Sequence, residues 1–101
     1  MDTQELTLTL LIYRSSLETE IMEDLEELKI THYTKWTEVK GVGAHSEPHL
    51  DSHIWPGTNN VIAVMSDPKT EERIYTIVRK VKEHAPLEGI KAFTLPLLRH
   101  S

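Results

Sequence analysis

The stretch NVIAVMSDP, Asn60–Pro68, sets two signals back to back. Val61 to Met65 are apolar at both parities, as expected of a central strand covered on both faces. Asp67 then offers a side-chain acceptor to the first free N–H groups of a helix, and Pro68 suits the first helical position. A strand over Val61–Ser66 therefore runs directly into a helix. Ile74, Ile77, Val78 and Val81 recur at spacings of three and four and point inward, and the helix ends near Ala85-Pro86. Next comes GIKAFTLPLL, Gly89–Leu98. Pro96 removes a ladder donor there, so this last strand belongs at a sheet edge.

Working back from Asn60, ITHYTKWTEV (Ile30–Val39) is rich in Thr, Tyr, Trp and Ile and reads as a strand, with Tyr33 and Trp36 on opposite parities. Before it, Leu17, Ile21, Leu25 and Leu28 mark a helix over Ser16–Lys29, opened by Ser15 and Glu18 as a capping box. The other face of this helix holds Glu18, Glu20, Glu23, Asp24, Glu26 and Glu27 and reads as a solvated acidic surface. Leu6, Leu8, Leu10 and Ile12 alternate along a first strand.

The order β-α-β-β-α-β predicts an α+β, ferredoxin-like sandwich: a four-stranded antiparallel sheet with two helices on one face, the first and third strands central. The chain reads as one domain, residues 1–101, with a long loop at 39–58. The first strand also points Leu11 and Tyr13 away from its main apolar set, and the third is apolar on both sides. No element is left to cover the second face, so a second copy of the chain is expected there. Ile62 or Val64, whichever faces that copy, is the expected place for a disruptive charge.

Composition narrows the function classes. With 39% hydrophobic and 27% charged residues the chain is globular in type, and without cysteine it has neither disulfides nor thiolate ligands. A formal net charge of −5 without a long Lys/Arg cluster argues against nucleic acid and anionic lipid as partners. No run is apolar enough to insert in a membrane, and the start lacks a secretory n-region, so the expected compartment is the cytoplasm.

The loop holds the chemistry. GVGAHSEPHLDSHIWPG, Gly41–Gly57, spaces His45, His49 and His53 four residues apart. Imidazoles converging on one point make a site for zinc, copper or nickel without thiolates, and Glu47 or Asp51 can complete the shell. Gly41 and Gly43 permit unusual backbone angles or close approach, and Trp55-Pro56-Gly57 is an apolar anchor and turn. His32, His84 and His100 read as structural or surface residues, His84 suiting a helix C-terminus. No nucleophile, positioned acid or cofactor fingerprint accompanies the histidines, so the expectation is a protein that is not an enzyme.

The element order over nearly the whole chain, with EVKGVGAHS (Glu38–Ser46) opening a long loop after the second strand, resembles the PII signal-transduction superfamily, which includes the CutA trimers. Lys40-Gly41-x-Gly43 is similar to the lysine-glycine pattern at the start of the PII loop. This resemblance implies a regulatory homotrimer whose loop contacts a protein target, with a membrane transporter as one candidate. It also implies adenine nucleotide in the inter-subunit clefts, lined here by Lys40, Gly41, Gly43 and Lys91. The sequence departs from the pattern in two places. The segment Val39–Thr58 has no tyrosine to modify, and the connection EHAPLEGIK (Glu83–Lys91) has Gly89 as its one glycine and Lys91 as its nearest base. A phosphate cradle needs several free N–H groups and positive charge. The leading expectation is thus a divalent metal sensed by the loop, the alternative an adenine-nucleotide sensor.

Overall fold

The structure, a computed structural model, describes residues 5–42 and 57–101. Strand β1 (Thr7–Arg14) leads through a 3-10 turn at Ser15–Leu17 into helix α1 (Glu18–Glu27). Strands β2 (Thr34–Val39) and β3 (Asn59–Ser66), helix α2 (Pro68–His84) and strand β4 (Ile90–Pro96) follow. The four strands form one antiparallel sheet in the order β2-β3-β1-β4. This is the expected ferredoxin-like α+β sandwich, with β1 and β3 central and Pro96 ending an edge strand.

The register decides which face meets the helices. Thr9, Leu11 and Tyr13 of β1 stand opposite Val64, Ile62 and Asn60 of β3, and all six are buried. Leu17, Ile21 and Leu25 of the α1 segment and Ile74, Ile77, Val78 and Val81 of α2 close over them, with Ile90 from β4. Leu11 and Tyr13 therefore belong to the core, and Leu8, Leu10 and Ile12 line the open face. This reverses the assignment of the first strand's two faces, and it removes Ile62 and Val64 as positions facing another copy. The reversal has a physical origin: a sheet face buried against another chain is as apolar as one buried against helices, so alternation alone cannot tell them apart.

The open face is a continuous apolar surface. Leu8 lies between Met65 and Leu95, Leu10 between Ala63 and Phe93, and Ile12 between Val61 and Lys91, with Trp36 beside Val61. Trp36 at 51%, Met65 at 48%, Phe93 at 46% and Leu95 at 43% retain about half their accessible surface. Monomeric proteins rarely leave so many large apolar side chains contiguous in water.

Helix α2 starts as its sequence dictates: Asp67 accepts a hydrogen bond from Thr70 N–H at 2.8 Å and Pro68 opens the first turn. That bond holds the Asp67 carboxyl below its ordinary pKa. Asp67→Ala leaves the N–H uncapped and is expected to lower the melting temperature by several degrees, read by circular dichroism.

Helix α1 starts differently from expectation. Ser15 and Glu18 make no capping box: neither Arg14 nor Leu17 provides a side-chain cap. Instead Ser15 N–H donates to Thr58 carbonyl at 2.9 Å, and Glu18 is drawn to partners on the sheet. The acidic surface of α1 is also only partly solvated. Asp24 is 5% exposed and accepts from Lys80 Nζ at 2.7 Å, tying α1 to α2.

A second tie joins the same helices. His84 Nε2 lies 2.9 Å from Glu20 Oε2, and His84 Nδ1 lies 2.9 Å from the Lys80 carbonyl oxygen. The bond to Glu20, then that to the backbone, raise the imidazole pKa above its ordinary value. A raised folded-state pKa means that this stabilisation is complete below the unfolded value of about 6.5 and is lost as pH rises through the folded value. His84→Gln is expected to flatten the dependence of melting temperature on pH in the window from about 6.5 upward. An unchanged profile would show that the pair contributes nothing to folding.

Candidate functional site

The two legs of the β2–β3 connection meet the α2–β4 turn at one end of the sheet. Val39 and Arg14 both pair with Asn59, and Arg14 N–H donates to Gly89 carbonyl at 3.0 Å. Gly41 on the outgoing leg comes so close to Asn59 that an added Cβ would stand 3.1 Å from its Nδ2. Gly57 on the returning leg has a left-handed backbone, at φ +71°, where a Cβ would stand 3.1 Å from the Arg14 guanidinium. Thr58 is fastened to Ser15 through backbone and hydroxyl, the hydroxyls 3.2 Å apart.

Arg14 thus lies in the end row of the open face, between Gly57 and Gly89, and its guanidinium has no ion-pair partner among the described residues. Lys91 lies on the same face one row further along β4, opposite Ile12, with its ammonium 5.8 Å from the Phe93 ring centre. Lys40 and Gly41 stand exposed on the outgoing leg. Lys35 does not join these cations, because its ammonium is 2.5 Å from Glu18 Oε2 on the helix-facing side. The α2–β4 turn contributes one glycine and the carboxylate of Glu88, which accepts from Ser16 hydroxyl at 2.7 Å.

His45, His49 and His53, with Gly43, Glu47 and Asp51, lie outside the described residues. Among the described residues no group of three or more His, Asp or Glu is arranged to hold a metal ion. His32 pairs with Thr31 hydroxyl at 3.1 Å, His84 serves the helix pair, and His100 is exposed near the terminus.

Sequence reasoning missed the polar cluster beside the outgoing leg. Glu18 Oε1 accepts from Tyr13 hydroxyl at 2.6 Å and from Asn60 Nδ2 at 2.8 Å, while Oε2 accepts from Lys35. Burial alone would raise the Glu18 carboxyl, but the bonds from Lys35, Tyr13 and Asn60 outweigh it and hold the pKa below the ordinary value. Tyr13 is pushed up, first by burial and then by the adjacent carboxylate. Asn60 Oδ1 in turn accepts from Glu38 N–H at 3.0 Å, at a break in the β2–β3 register where Glu38 has φ +58°. A buried Asn60 next to Val61 was the available signal, yet nothing local in sequence pairs it with Glu18.

No family model matches the chain, and no curated protein sequence matches it. In structure it is similar to a protein from Thermus thermophilus described as PII-like and signaling. The two are 24% identical, the TM-score is 0.64, and the match covers 96% of this chain and 91% of that chain. The chain therefore shares the ferredoxin-like α+β fold of that protein. Among the described residues no helix is long and apolar enough to cross a membrane.

Proposed function

We propose that this chain is a PII-like regulatory protein that assembles as a homotrimer through its open sheet face and signals to a protein target through loop 39–58. The observation that carries this reading is the convergence of both loop legs with the α2–β4 turn, at one end of a sheet whose other face is apolar and covered by none of the described elements. In this reading the loop takes a divalent transition metal through His45, His49 and His53, and the liganded loop is the surface the target reads. It has no catalytic role and works in the cytoplasm. Light scattering tests the assembly, and calorimetry with zinc, copper and nickel tests the ligand. A single-chain mass at micromolar concentration would overturn the first, and no metal binding the second.

The position of Arg14 favours a second reading, an adenine nucleotide in the inter-subunit cleft. The guanidinium of Arg14, against Gly57 and without an ion-pair partner among the described residues, lies at the end of the open face, where a neighbouring copy would form the cleft wall. Lys40, Gly41, Gly43 and Lys91 would line the same cleft. The carboxylate of Glu88 and the shortage of glycines in its turn make such binding weaker than a glycine-rich phosphate cradle allows. Submicromolar ATP affinity in calorimetry would place this reading ahead of the metal.

A further inference from the structure

We infer that Glu18 is a positioning residue for the outgoing leg of the β2–β3 connection, acting through Asn60 on the left-handed turn at Glu38. Donor and acceptor types fix the orientation of the groups involved. An ionised carboxylate only accepts hydrogen bonds, so Asn60 must turn its Nδ2 toward Glu18, at 2.8 Å. That choice turns Oδ1 the other way, toward the Glu38 N–H at 3.0 Å. Asn60 is 4% exposed, so water cannot readily replace either partner. Glu38 is not glycine, and its φ of +58° costs free energy that the surrounding contacts must offset.

The remaining contacts of Glu18 serve the same end. Lys35, three residues before Glu38 on β2, and Tyr13 on β1 keep the carboxylate charged and fixed. Through Asn60, 42 positions away in sequence, the first residue of α1 is thereby linked to the end of β2 from which the loop departs. A displacement of the outgoing leg is felt at α1, and one of α1 at the leg. This linkage holds whether the loop takes a metal, a nucleotide or neither, so its test is independent of the proposed function.

The experiment is site-resolved amide hydrogen exchange on the full chain, comparing Glu38 with the core amides of Leu11 and Ile62. In Glu18→Gln the side chain can no longer accept at both ends, and Asn60 loses its reason to keep one orientation. Glu38 exchange is expected to accelerate about tenfold or more relative to the core amides. Glu18→Ala, which removes the acceptor that turns Asn60 Nδ2 away from the Glu38 N–H, is expected to do the same, and it carries the test if Glu18→Gln fails to fold. Tyr13→Phe takes one of the two donors from Glu18 Oε1, so Glu38 exchange should accelerate by less than in Glu18→Gln. Glu38 exchange that tracks the core amides in both Glu18→Gln and Glu18→Ala would overturn the inference.

Discussion

Leu10→Asp will release the proposed trimer into folded single chains. Leu10 sits at the middle of the open face, with Ala63 on one side and Phe93 on the other, and takes no part in the core beneath the helices. In an isolated chain the new carboxylate reaches water, so folding survives. Between subunits it would be an unpaired charge in a dry apolar contact, which costs several kcal/mol per site. Each contact is then weakened by roughly a hundredfold or more, enough to dissociate a micromolar sample. The contrast with Ile62→Asp makes the effect specific. Ile62 is fully buried against Leu11 on the helix side, so a charge there is expected to unfold the chain rather than dissociate it. Sedimentation combined with circular dichroism separates the outcomes. A Leu10→Asp protein that keeps the wild-type mass would rule out the open face as the contact.

The same two residues explain why the sheet was easier to recognise than to orient. Val61 to Met65 announce a central strand because neither parity is polar, and Asp67-Pro68 mark the helix start through contacts made within four residues. Both signals are local and both match the structure. The first strand offers Leu8, Leu10 and Ile12 on one side against Thr9, Leu11 and Tyr13 on the other, and the more apolar side is the open one. Thr9 and Tyr13 are buried despite their hydroxyls, and the Tyr13 hydroxyl is satisfied by Glu18, a partner that pattern alone does not supply. The capping box failed for the same reason. Glu18 can reach back to the backbone in a local motif, yet Lys35 and Asn60 bring two further donors to it from strands the sequence places far away. Of the candidate site, Gly41 lies against Asn59 on the outgoing leg and Lys91 on β4 opposite Ile12, while the contacts of Arg14 with Gly57 and Gly89 join segments that the sequence places far apart.

The proposed binding of zinc, copper or nickel to the loop is expected to be lost when His49 and His53 are replaced together by alanine. Each imidazole in such a site contributes a directed bond from a neutral nitrogen, and removing two leaves one histidine with carboxylates that suit harder ions. Apparent affinity is expected to fall by roughly a hundredfold or more. Calcium and magnesium should bind poorly to the parent protein, since they prefer shells of oxygen. Because a protonated imidazole cannot coordinate, affinity in the parent should decline as pH falls through about 6.5, with protons released on binding. That pH response has the opposite sense to that of the His84–Glu20 pair, which strengthens as its imidazole gains a proton. The two effects can therefore be told apart in one titration: His84→Gln alters melting without altering metal affinity, and His49→Ala with His53→Ala does the reverse. If binding also orders the loop, the entropy cost of fixing its residues will lower the measured affinity. Equal affinities for parent and double variant, or no binding to the parent, would leave the three histidines as solvent-facing polar residues and shift the sensing role to the cleft beside Arg14.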